Sequence, residues 1–147
     1  MSRISNTAVP QEYGRFREAV LNGEIPVPET ISMQMNRIDR DIENPNYYYD
    51  PDAIQGYIDF CENELTLTTG EPLTLLPTFK LWAEDLFAWY YYSDEETIDP
   101  KTGRRVIRRK KKRLRNRQFL IIARGNSKSL YESTIQMHGL VNDTSTT

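Results

Sequence analysis

Soft metal ligands are nearly missing from this chain, which has one cysteine, Cys61, and one histidine, His138. A lone cysteine closes no intramolecular disulfide, and the two residues together are too few for a zinc site. Cys61 reads as a small buried hydrophobe and His138 as an ordinary helix residue. Long apolar runs are also missing: none approaches the roughly 20 residues of a membrane-spanning helix. No apolar stretch follows Arg3, so the start does not read as a secretory signal, and the expected setting is cytoplasm with no membrane partner. No internal repeat is visible, and 147 residues leave room for one modest domain.

Charge is abundant but segregated. Residues 1–100 hold 6 basic and 19 acidic side chains, whereas 101–147 hold 13 basic and 2 acidic. Most of the positive charge lies between Lys101 and Arg117, with no acid among Arg104, Arg105, Arg108, Arg109, Lys110, Lys111, Lys112, Arg113, Arg115 and Arg117. Val106, Ile107 and Leu114 give too little apolar surface for a buried element, so this arm is expected to be exposed. Two readings stay open: a charge match to the acidic first 100 residues, or a grip on DNA phosphates through Arg108, Arg109, Lys110, Lys111, Lys112 and Arg113.

Apolar periodicity supplies the helices. Tyr13, Phe16, Val20 and Leu21 predict a first helix over Gln11 to about Asn22, with Gly23 behind it. Pro26 and Pro28 enforce an extended link, and Ile31, Met35, Ile38 and Ile42 predict a second helix. Asp50 caps a third with Pro51 in its first turn, its apolar face being Ile54, Tyr57, Ile58, Cys61 and Leu65. Thr69 to Pro72 is a turn. Leu81, Trp82, Asp85, Leu86, Trp89 and Tyr90 read as a fourth, largely buried helix. Asp99 to Gly103 forms a loop tip between two arms, the second being the basic block. Glu62, Glu64, Glu84 and Asp85 read as a solvated acidic face. Tyr47-Tyr48-Tyr49 and Tyr90-Tyr91-Tyr92 are open to a stacking role toward single-stranded nucleic acid, with packing against a neighbouring helix the expected one.

Phe119-Leu120-Ile121-Ile122 is a short apolar run, Ala123 to Ser127 a small-residue loop, and Lys128 to Val141 a helix. That strand-loop-helix order suits a phosphate-binding loop, because backbone N–H groups at a helix start point toward the anion. Lys128 would reach the phosphates and Ser129 would ligate magnesium. Against the pattern G-x-x-x-x-G-K-[ST], Ile122 and Ser127 replace the glycines.

The run Arg124-Gly125-Asn126-Ser127-Lys128-Ser129 resembles the degenerate Walker A loop of tailed-phage terminase large subunits, the ATPases of viral DNA packaging. Val20-x-x-Gly23-x-Ile25, Arg37 with Asp41, Tyr49-x-Pro51-x-Ala53, Ile58-x-Phe60, Gly70-x-Pro72-x-x-Leu75 and Phe87-Ala88-Trp89 extend the likeness over nearly the whole chain. The resemblance implies an α/β fold: a helical N-terminal lead-in over 1–70, then over 71–147 the start of a P-loop NTPase core with an incomplete parallel sheet and the Walker A-like loop at 122–129. It implies ATP and Mg2+ as cofactors, with Gly125, Asn126, Ser127, Lys128 and Ser129 binding nucleotide. Arg124 is implied as a catalytic, charge-stabilising group, the alternative being an ion pair with an acid such as Asp85 or a place in solvent. Double-stranded viral DNA, a portal and a small terminase subunit are the implied partners, in the host cytoplasm. Phe79 falls where the family carries an adenine-reading glutamine, and it is open to base stacking or to a core role. No acidic strand end follows Ser129 in this sequence, so the chain alone is expected not to hydrolyse ATP. Unpaired strand edges and self-association are expected with it.

Overall fold

The structure, a computed structural model, describes residues 9–115, 118 and 128–142. Among these the fold is mixed α/β, with helices α1 (Gln11–Leu21), α2 (Glu29–Glu43), α3 (Pro51–Asp59), α4 (Pro77–Phe87) and α5 (Lys128–Asn142). Strands β1 (Tyr48–Tyr49), β2 (Trp89–Ile98) and β3 (Arg105–Arg113) form one sheet in the order β1-β2-β3. Both strand pairings are antiparallel.

Local chemistry accounts for the helix boundaries. Pro28 precedes α2 and Pro77 opens α4, each where a missing N–H costs nothing. Asp50 caps α3 by accepting from the Asp52 N–H at 3.0 Å, as its place before Pro51 predicts. Beyond Asp59 the helix widens into a single π-turn over Phe60–Glu64, which keeps Cys61 in the core. Tyr13, Phe16, Ile38, Ile54, Tyr57, Ile58 and Cys61 are all buried, as the periodic faces read from the sequence predict, whereas Leu21 at the end of α1 is 79% exposed.

The centre is α4, with α1 and α3 packed on it. One apolar cluster joins Tyr49, Ile54, Tyr57, Cys61, Leu73, Phe79, Trp82, Trp89 and Tyr131. A smaller one joins Tyr13, Phe16, Ile38 and Leu81. Phe79 is stacked on Tyr131 with ring centroids 5.1 Å apart and is a core residue, which removes its base-stacking reading.

Three expectations need correction. The fourth helix stops at Phe87, and Trp89 and Tyr90 begin β2. An unbroken run of bulky aromatics favours the pleated surface of a sheet over the crowded wall of a helix. The basic block is largely exposed as expected, but over Arg105–Arg113 it is strand β3, paired along its length with β2 and not a flexible arm. Glu84 and Asp85 are not a solvated face: they are only 2% and 5% exposed.

Candidate functional site

Two regions carry the residues singled out above. In the first, α5 is described from Lys128 onward. Arg124, Gly125, Asn126 and Ser127 lie outside the described residues. Ser129 is exposed on α5, and its backbone carbonyl accepts from the Ser133 hydroxyl at 2.8 Å.

What holds α5 in place is well defined. Tyr131, 1% exposed, inserts between Phe79 and Trp82. The buried Thr134 hydroxyl donates to the Tyr131 carbonyl at 2.6 Å, which commits its one proton and leaves the Tyr57 hydroxyl as donor to Thr134 at 2.8 Å. Burial pushes the Tyr57 and Tyr131 hydroxyls far above the usual tyrosine range, so both stay neutral donors. His138 fills the angle between Tyr57, Phe60 and Phe87, a packing role that matches its sequence reading.

The chain that leaves β3 is anchored as well. Arg115 pairs with Asp41 of α2, and its Nη1 lies 3.4 Å from Asp85 Oδ1 of α4. At that separation the charges attract, yet the geometry misses a hydrogen bond and leaves both atoms without one. Arg37 closes the network, donating to Asp41 at 2.9 Å and to Asp85 at 2.5 Å. Asp85 is therefore held by Arg37 and Arg115. Three residues on, the Gln118 amide donates to the Trp82 carbonyl at 2.8 Å and accepts the Tyr131 hydroxyl at 2.7 Å. Gln118 and Tyr131 thus meet each other beside Trp82 of α4.

The second region is the charged hairpin. Its tip is a tight turn in which Gly103 adopts a φ of 68°, donates to the Asp99 carbonyl and leaves Asp99 to accept at its side chain from the Lys101 N–H. Antiparallel register sets Tyr92 opposite Lys111, Asp94 opposite Arg109 and Glu95 opposite Arg108. Directly opposed residues share a sheet face, so the cations divide by parity. On one face Glu95 binds both Lys110, at 3.1 Å, and Lys112. Hydrogen bonds from Lys112 and Lys110 hold the Glu95 carboxyl below its usual range, and Glu95 holds Lys112 above its own. On the other face Arg109 lies over the Tyr92 ring at 4.4 Å and Lys111 over the Tyr90 ring at 4.0 Å. Arg113 covers Phe87 at 5.3 Å, and Lys111 also pairs with Asp50 at 3.5 Å. Arg108 is exposed and has no acidic partner among the described residues.

Comparison with protein-family models, with curated proteins and with solved structures finds no match. Among the described residues, no group of three or more His, Cys, Asp or Glu is placed to hold a metal. No helix among them is long and apolar enough to cross a membrane.

The sequence reading missed two arrangements. It left a charge match to the acidic first 100 residues open without naming partners, and Glu95, Asp50, Asp41 and Asp85 are those partners. It also expected the tyrosine clusters to pack against a neighbouring helix, with stacking on single-stranded nucleic acid left open. Tyr49 is buried against Trp89, but Tyr48, Tyr90 and Tyr92 pack on one another across the sheet. The usable signal was parity: Tyr90 and Tyr92 are two apart in a strand-forming run and so share a face.

Proposed function

We propose that the chain is the N-terminal, nucleotide-binding portion of a viral DNA-packaging motor of the terminase large-subunit kind. The observation that supports this reading is the helix α5, which follows Arg124-Gly125-Asn126-Ser127 in the sequence and is held in the core by Tyr131 and Thr134. A phosphate loop works by presenting backbone N–H groups from a fixed helix start, and a helix anchored by a buried tyrosine meets that demand.

In this reading Gly125, Asn126, Ser127 and Lys128 cradle the phosphates of ATP, and Ser129 ligates Mg2+. Arg124 stabilises charge on the γ-phosphate. The incomplete parallel P-loop sheet belongs to the same proposal, as does the lack of hydrolysis by this chain alone. Partners are double-stranded viral DNA, a portal and a small terminase subunit, in the host cytoplasm. Calorimetric titration with Mg-ATP tests the reading: saturable binding that AMP does not compete away is expected, and equal affinity for AMP would count against a site built around the outer phosphates.

A second reading, a non-catalytic DNA-binding or assembly module, is favoured by the exposed cations of β3, Arg108 and Arg109 above all. Salt-sensitive duplex binding that ignores ATP would support it. An inactive remnant would show neither binding.

A further inference from the structure

Alternation along β2 leaves Tyr92, Asp94, Glu96 and Ile98 exposed while their odd-numbered neighbours are half-buried. At the end nearest the core, this open face carries aromatic rings and cations, with Asp94 opposite Arg109. Tyr48 on β1 stacks on Tyr90 with centroids 5.5 Å apart and meets Tyr92 edge-on at 5.2 Å. Tyr48, Tyr90, Tyr92 and Arg109 line a cleft of about 260 Å³. Tyr92 is 37% exposed, and the Arg109 guanidinium rests on its ring with no carboxylate partner among the described residues. Lys111 stands at the inner rim over Tyr90, with the Asp50 carboxylate 3.5 Å away.

The two faces of β3 therefore differ in what their cations can do. Lys110 and Lys112 are both engaged by one glutamate, so their charge is largely spent within the hairpin. Arg109 is held by a π-face, which orients the guanidinium without cancelling its charge. A planar ligand entering the cleft can stack on the tyrosine and guanidinium planes while the anion attached to it meets Arg109 and Lys111. Rings and cations repeat every second residue, roughly 6.6 Å along the strand, so consecutive units of a flexible anionic chain can be engaged in turn. Duplex DNA hides its base faces in the stack and offers this cleft nothing planar. Asp94 and Glu96 on the same face confine the site to the inner end of the hairpin.

We propose that this face binds single-stranded nucleic acid, taking unpaired bases on Tyr92, Tyr90 and Tyr48 and phosphates on Arg109 and Lys111. The inference rests on the reading that β3 contacts DNA and names the form of the nucleic acid that it meets there. It does not involve Lys128.

The test is fluorescence anisotropy with an oligo-dT strand and a duplex of equal length, on the full chain. Tyr92→Leu is expected to weaken oligo-dT binding about 5- to 150-fold and to leave duplex binding unchanged. Tyr92→Phe should bind as the unmodified chain does, and Lys110→Ala, on the opposite face and engaged by Glu95, should leave oligo-dT binding close to that of the unmodified chain. Should Tyr92→Leu fail to fold, photocrosslinking of bromouracil-substituted oligonucleotide to the unmodified chain gives the answer: adducts at Tyr48, Tyr90 or Tyr92 support the site, and adducts confined elsewhere overturn it. Equal tolerance of Tyr92→Leu by strand and duplex overturns the single-strand site and leaves the β3 contact standing. Absence of binding to either form overturns both. Competition by polyglutamate as effective as by oligo-dT would identify an acidic polypeptide as the ligand and overturn it too.

Discussion

The Tyr49 hydroxyl donates to the Glu84 carboxylate at 2.8 Å, and that carboxylate also accepts the backbone N–H groups of Glu12 and Tyr13 at 2.9 Å each. Helix α1 has no side-chain cap of its own, because Pro10 precedes it. Its first free N–H groups are satisfied from α4 and β1 instead, with the Gln11 N–H donating to the Tyr49 hydroxyl at 3.3 Å. Burial raises the Glu84 carboxyl from 4.5 to about 7, against the opposing pull of its three hydrogen-bond donors.

Stability should therefore depend on pH through Glu84. Below pH 4.5 the group is protonated in both folded and unfolded chains; between 4.5 and about 7 the unfolded chain loses its proton first, so stability falls as pH rises. Urea unfolding of the unmodified chain and Glu84→Gln across this window is expected to show their difference shifting against the unmodified chain by on the order of 3 kcal/mol. A shift in the other direction would mean that the three donors outweigh burial.

The Tyr57–Thr134–Tyr131 chain should behave as one unit. Thr134→Val leaves the buried Tyr57 hydroxyl without its acceptor and is expected to cost about 1–3 kcal/mol. Tyr57→Phe combined with Thr134→Val should cost less than the two changes added together, since the stranded hydroxyl is gone. Additive costs in a chemical denaturation cycle would show that the pair is not coupled.

Glu95 should act as a brake on DNA binding. Glu95→Gln releases Lys110 and Lys112, and each cation that then meets a phosphate steepens the plot of log affinity against log salt by about 0.9. A slope steeper by roughly 1–2 for duplex DNA is expected. An unchanged slope with unchanged affinity would show that β3 does not meet the backbone.

Helices α1, α2 and α3 could be read from the sequence because their information is local: apolar residues at helical spacing, Asp50 before Pro51, prolines at the entries. The end of α4 was not legible, since Phe87 to Tyr92 is apolar and aromatic at either period and only pairing with β1 and β3 decides it. Nor was the burial of Glu84, whose partners Tyr49 and Tyr13 lie 35 and 71 residues away. A carboxylate looks the same in sequence whether its donors are water or a distant helix start. The helix read over Lys128 to Val141 is present, while the loop residues Arg124 to Ser127 lie outside the described residues. The hairpin tip was expected too, but the division of cations between sheet faces needed the register.

Magnesium-dependent ATP binding to the full chain, compared with Lys128→Ala, tests the central claim most directly. Calorimetry with Lys110→Ala alongside separates a placed lysine from bulk positive charge. The account expects saturable binding, a loss of roughly tenfold or more in Lys128→Ala, and no loss in Lys110→Ala. Equal affinity in all three proteins, or no binding to the unmodified chain, would contradict it.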